Sequence, residues 1–287
     1  MKRFFANLSI IITFTFLSAF SMGAAVRYHC ASDSAAVLNL LKEASKGENI
    51  GARVALAAKA LLGVPQAPAA DNDSLGTIMI RLDSLNQKEF LNMAMAAAKA
   101  SYAPTASIHD FEKALSDISR KKGVDEGFPS QFIYGADWIV DNVYRGNVKE
   151  MTEYLDGGSF RTKTLDYVSR HRDEFPAMSD SLVREKIKII EMGYRSHRIP
   201  HLKKQSIGNK NVKELMQEGD IIMMLAPEND FDVYDLGIVT IKEGEPYLIH
   251  VSRSKGEVVE DDFPLQRLFK IESQFFYGYR WLRPTEY

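Results

Sequence analysis

The chain has 287 residues, of which 45% are apolar and 26% charged, an ordinary balance for a globular protein rather than a disordered or fibrous one. Its formal net charge of −2 argues against nucleic-acid binding, which favours a concentrated basic surface. A single cysteine, Cys30, excludes an internal disulfide and leaves the core to hold the fold.

The first residues read as an export signal. Lys2 and Arg3 give a positive start, Leu8 to Phe20 is an almost unbroken apolar run, and Ser21, Gly23, Ala24 and Ala25 offer cleavage positions before Val26. The run is shorter than the ~20 residues of a spanning helix, so cleavage is expected rather than anchoring. Arg27, Tyr28 and His29 are not the small apolar residues that would precede a lipid-modified cysteine at Cys30. The expected organisation is a signal peptide over 1–25, an N-terminal extension over 26–49 and one domain over 50–287. The membrane is met only through the transient signal peptide.

Helix-spaced apolar residues run from Ser34 to Glu43 and from Ile50 to Leu62, where Gly63-Val64-Pro65 stops the second helix. Gln66 to Asp73 reads as a loop, and Thr77 to Leu82 as short and β-prone. Asn86 and Glu89 have the spacing of a capping box before a helix to about Ala100, with Phe90, Leu91, Met93, Ala94 and Ala97 on its buried face. Further helices are predicted over Ile108–Ile118 and Tyr134–Tyr144, and from a Ser179-Asp180 cap through Ile190. From Glu218 the pattern changes to short apolar runs separated by turns: Asp220–Leu225, Tyr234–Ile241, Tyr247–Ser252 and Glu257–Val259. A helix over Leu265–Lys270 and a strand over Phe275–Leu282 complete an α+β layout, helices first and an antiparallel sheet second.

Several stretches fall in an order that resembles a known family. They are Leu62-Gly63-Val64-Pro65, Leu85-Asn86-Gln87-Lys88-Glu89-Phe90, Asp137-Trp138-Ile139, Phe175 to Asp180, Glu218 to Ile222, Asp232 to Ile238, and Leu248-Ile249-His250-Val251-Ser252. From about Ile50 to Pro284 the chain resembles the N-acetylmuramoyl-L-alanine amidase-like branch of the papain-like NlpC cell-wall hydrolases. The resemblance implies an exported bacterial protein, periplasmic or at the cell surface, whose ligands are peptidoglycan or muropeptide fragments. It also implies a papain-like fold, with a nucleophile-bearing helix packed on the sheet.

In such enzymes a cysteine at a helix start attacks, a histidine on the sheet takes its proton, and a polar residue on the next strand orients the imidazole. The matched positions here are Gln87, Asp235 and His250. A carboxamide gives up no proton near neutral pH, and an aspartate of reference pKa ~3.9 is a weak base there. Gln66, Gln131 and Ile133 stand where the family tends to have tyrosine, arginine and histidine. The expectation is therefore a non-catalytic homologue whose remnant cleft includes Ser84, Gln66, Gln131, Ile133, Tyr134, Asp137 and Trp138. Two alternatives stay open: a hydrolase using Ser84 or a water activated by Asp235 and His250, and an envelope structural or interaction protein.

Other signals point to packing or surface. His197 and His201 have helical zinc-ligand spacing, but Pro200 breaks such a turn and no glutamate lies between them. With Arg198, Lys203 and Lys204 nearby, a solvated basic edge is expected, as it is for Arg170-His171-Arg172. No metal or cofactor is expected. Met93, Met95, Met223, Met224 and Trp281 read as core. Tyr134 and Trp138, one turn apart, read either as core or as the lining of a groove.

Overall fold

The computed structural model describes residues 26–68, 78–123, 125–155 and 158–286. The expected signal peptide, and part of the loop read over Gln66–Asp73, lie outside them. In chain order the elements are β1 (Val26–Tyr28), α1 (Asp33–Ala44), α2 (Ile50–Ala60), β2 (Ile78–Ile80), α3 (Gln87–Ala100), α4 (Ile108–Ser119), α5 (Gly135–Tyr144), β3 (Val148–Glu150), β4 (Ser159–Lys163) and α6 (Tyr167–Arg170). There follow α7 (Ser181–Gly193), β5 (His197–Lys203), α8 (Lys210–Leu215), β6 (Ile221–Leu225), β7 (Val233–Lys242), β8 (Glu245–Ser252), β9 (Glu257–Glu260), α9 (Leu265–Ile271) and β10 (Gly278–Pro284). The α+β class read from the sequence is the class observed. No helix among the described residues is long and apolar enough to cross a membrane.

α3 is the centre of the helical layer. From Phe90 to Ala100 every residue but Asn92 is buried, as expected of a helix covered on all sides. Its alanines let α2 and α4 approach closely, and Val37, Leu40, Leu41 and Ala44 of α1 join the same core. The short parallel pair β1–β2 closes this layer.

The main sheet has eight strands in the order β4-β5-β10-β6-β7-β8-β9, with β3 also paired to β10. All its pairings are antiparallel. β6 is buried along its whole length because both sheet faces are covered. Ile221 and Met223 pack with the helical layer, while Ile222 and Met224 pack with Trp281, Tyr279 and α9. The period of two along a strand makes this division.

Two local features fix helices to sheet. Gly51 of α2 and Gly219 in the turn before β6 are in direct contact: a Cβ on Gly219 would lie 2.2 Å from the Gly51 carbonyl oxygen. Gly219 also has φ +81, a left-handed conformation that glycine adopts without steric cost. The second feature is a strap over residues 63–67. Gly63 N–H donates to Val258 O (2.9 Å), Val258 N–H to Val64 O (2.8 Å) and Gln66 N–H to Gly256 O (2.7 Å). The strap thus covers the outer edge of β9.

The His197–His201 region departs from the expected solvated edge. It is strand β5, between β4 and β10, and Ile199, His201 and Leu202 are buried. An extended backbone accommodates the fixed φ of Pro200, which a helix interior does not.

Candidate functional site

The start of α3 is held from three sides. The Asn86 side chain accepts the Glu89 N–H and the Glu89 carboxylate accepts the Asn86 N–H, both at 2.9 Å. Arg81 holds Glu89 at 3.1 Å. On the strap side, Leu85 N–H donates to Pro65 O (2.9 Å) and Ala67 N–H to Leu85 O (3.0 Å). Gln87, the first residue of the helix, is thereby fixed against β7.

There the three matched positions meet. Gln87 Nε2 donates to Asp235 Oδ1 at 2.6 Å, and His250 Nδ1 lies 3.0 Å from Asp235 Oδ2. A carboxylate only accepts, so the amide NH2 and the Nδ1–H are the groups that face it. Asp235 Oδ1 also accepts the Leu236 N–H at 2.8 Å. On the far side of the imidazole, His250 Nε2 is 3.6 Å from Asp261 Oδ2, an ion-pair separation rather than a hydrogen bond. Asp235, His250 and Asp261 are all buried.

This arrangement sets the charge on His250. Burial alone pulls an imidazolium down. The hydrogen bond to Asp235 and the two flanking carboxylates outweigh it, and the pKa is pushed up to about 10. At neutral pH His250 therefore carries both protons and has no lone pair with which to accept another. Gln87 has no ionisable proton, and Asp235 is engaged on both oxygens. Gln87–Asp235–His250 has the hydrogen-bonded continuity of a nucleophile–base–orienter line, with Asp261 in ion-pair contact behind it, but it has no thiol at its start and no free imidazole to take a proton.

Beside it lies a cavity of about 170 Å³. The start of α3 contributes Gln87, Lys88 and Leu91, and the start of α5 contributes Ile133, Tyr134, Gly135 and Trp138. Met223, Phe231, Asp232, Val233 and Leu236 form the sheet side. Asp232 is buried and accepts the N–H groups of Gly135 (3.1 Å) and Ala136 (2.6 Å), which satisfies two of the unpaired donors at the start of α5. Lys163, also buried, donates to Ala226 O and Phe231 O (2.6 Å) and so holds the loop that brings Phe231 to the cavity.

Gln87, Ile133, Tyr134 and Trp138 thus come together at one cavity, and the remaining expected cleft residues do not line it. Gln66 sits on the strap, bridged to Leu85, and Gln131 is bridged to Arg120. The Ser84 hydroxyl donates to Asp83 Oδ1 at 3.4 Å and makes no hydrogen bond to Asp235 or His250. Asp137 is buried, bound by the Tyr194 hydroxyl (2.6 Å) and by Lys121 (2.7 Å). Tyr134 and Trp138 both reach the cavity yet belong to different core clusters. Tyr134 caps the helix with extended φ and ψ; its carbonyl accepts the Trp138 N–H at 3.2 Å, yet its side chain turns to a different cluster. Its hydroxyl donates to Glu191 at 2.8 Å, and the Trp138 ring N–H donates to Asn92 at 3.0 Å.

Lys88, Phe231, Asp232 and Asp261 join the site beyond the residues expected from the sequence. Lys88 directly follows the matched position Gln87 in the sequence. Asp261 follows β9 in a run Glu260-Asp261-Asp262, which reads as a polar turn. Among the described residues no group of three or more histidine, cysteine, aspartate or glutamate side chains is placed to hold a metal ion.

Residues 60–273 match the model of one protein family, described as N-acetylmuramoyl-L-alanine amidase-like. The chain belongs to that family. An N-acetylmuramoyl-L-alanine amidase from Bacteroides uniformis has a similar structure, with a TM-score of 0.69 and 21% identity, covering 88% of this amidase-like chain and 100% of its own. A Legionella pneumophila protein of the DUF1460 family is similar at TM-score 0.67 and 14% identity, covering 88% of this chain and 94% of its own. At such identities the likeness establishes the fold of the amidase-like protein. Among curated proteins none matches it.

Proposed function

We propose that this protein is a non-catalytic member of its family, exported through a cleaved N-terminal signal, that binds peptidoglycan or muropeptide fragments in the cleft at the start of α3. The single observation that supports the loss of catalysis is the pairing of Gln87 with Asp235 at 2.6 Å. A carboxamide occupies the nucleophile position and is hydrogen-bonded to the residue at the base position. His250, the remaining candidate for general base work, is held as an imidazolium. Binding is supported by the persistence of a cavity beside Gln87 with Trp138 and Tyr134 in its wall, since aromatic rings suit contact with sugar or peptide. Export is supported by the charge, apolar and small-residue order before Val26.

The test is mass spectrometry of defined muropeptides after incubation with the mature protein, an active cysteine amidase serving as control. Calorimetry on the same compounds runs alongside. Intact substrate together with measurable binding is the expected result. Release of free stem peptide, lost in His250→Ala, would overturn the non-catalytic reading. Intact substrate with no binding would leave the alternative of an envelope interaction protein.

A further inference from the structure

We infer that the cleft selects ligands by a carboxylate, and that Lys88 is the residue that recognises it; this rests on the muropeptide-binding reading above. The cavity wall is largely apolar, with Leu91, Trp138 and Met223 prominent, and its charged side chains are Lys88 and Asp232. Asp232 is 1% exposed and both its oxygens are occupied by N–H groups of α5. The nearby carboxylate of Asp235 is occupied by Gln87 and His250. Lys88 differs from both. Much of its side chain is exposed, though burial around the ammonium pulls its pKa down to about 8, which leaves it largely protonated at neutral pH. Its Nζ donates to Phe132 O at 2.7 Å, which uses one of three ammonium protons. No described carboxylate is within ion-pair distance of it.

The cleft therefore presents one ammonium, with no described carboxylate in ion-pair contact, beside an apolar cavity. The complementary ligand has a small apolar body and an anionic end, and a carboxylate pairs with an ammonium through a charge-assisted hydrogen bond. The Phe132 carbonyl pins the ammonium and lowers the ordering cost of binding.

This chemistry places the protein after a hydrolysis. An intact amide is uncharged, whereas cleavage of an amide leaves a carboxylate on the acyl side and an amine on the other. Lys88 favours the hydrolysed acyl fragment over its uncleaved parent. In cell-wall material the carboxylate has two sources, the lactyl acid of the amino sugar and the end of the peptide.

Calorimetry with two matched pairs separates them: N-acetylmuramic acid against its lactyl amide, and N-acetyl-D-alanyl-D-alanine against its C-terminal amide. In at least one pair the acid is expected to bind roughly tenfold more tightly than the amide, the scale of one charged hydrogen bond. Lys88→Gln should abolish that preference and Lys88→Arg should keep it. Lys88 is exposed, so both variants are expected to fold, which circular dichroism checks. Equal binding of acid and amide in both pairs, or an undiminished preference in Lys88→Gln, would overturn the assignment. A disaccharide muropeptide measured alongside separates the two failures. If it binds while acids and amides are equal, the Lys88 inference alone falls; if it does not bind, the cleft reading falls with it.

Discussion

The Nε2 of Gln87 lies 2.6 Å from Oδ1 of Asp235, joining side chains 148 positions apart and tying the first turn of α3 to β7. A carboxamide suits a carboxylate because it can turn its NH2 toward it. A carboxylate at position 87 could not. Gln87→Glu, nearly isosteric, should lower stability at pH 7.5 by about 1–3 kcal/mol through like-charge contact in a partly buried site. The repulsion raises the carboxyl pKa of the folded state above its unfolded value, so the loss should shrink as the pH falls toward 5. Urea midpoints at the two pH values measure this, and a loss independent of pH would contradict it.

The same contact predicts what restoring the thiol would do. In Gln87→Cys the sulfur faces a carboxylate, which disfavours the thiolate, so the cysteine should react slowly with iodoacetamide near neutral pH. Adding Asp235→His supplies an imidazole where the carboxylate stood. The double variant should then alkylate at least about tenfold faster than the single one at pH 6.5, since thiolate fraction governs the rate. Equal rates would mean that residues 87 and 235 are not coupled as placed.

His250 should make stability fall as the medium becomes alkaline. Its pKa rises from 6.5 to about 10 on folding, so the folded state holds a proton that the unfolded chain loses between those values. The contribution is complete below pH 6.5, declines above it and is gone past pH 10. Comparing wild type with His250→Asn at pH 6, 8 and 9.5 by urea unfolding isolates it. The gap between the two proteins should narrow with rising pH, by on the order of a few kcal/mol.

Gly135 holds the wall of the cavity. A Cβ there would lie 2.3 Å from Val233 Cγ2 and 3.3 Å from Asp232 Oδ2, and a valine side chain has little freedom to retreat. Gly135→Ala should cost about 1–3 kcal/mol and shift the Asp232 cap. The measurement is the thermal midpoint with Trp138 fluorescence as a local probe. An unchanged midpoint and spectrum would show that α5 is not seated tightly on β7.

Much of this architecture is legible in the residues because local chemistry and burial agree. Asn86 and Glu89 announce the start of α3, and the short apolar runs after Glu218 announce the sheet. The legibility fails where tertiary pairing overrides local pattern. β5 carries Arg198, Pro200 and Lys203 among its seven residues and reads as surface, yet strands on both sides bury Ile199, His201 and Leu202. β3 and β4 are three and five residues long and carry charged side chains, too little for an alternating pattern to emerge. At the site, motif order pointed to Gln87, Asp235 and His250 as a set. No spacing could reveal that Asp261 stands behind the imidazole, because that position depends on the turn after β9.

The strap over residues 63–67 has a consequence for assembly. Open sheet edges are templates for joining one molecule to the next, and unlimited growth requires two of them per molecule. Here the β9 edge is occupied by Gly63, Val64 and Gln66, which leaves β4 as the other end of the sheet. Along the described strand order, growth from the β9 side is blocked by the chain's own strap, so pairing with a second molecule through the main sheet must use β4 or the branch strand β3.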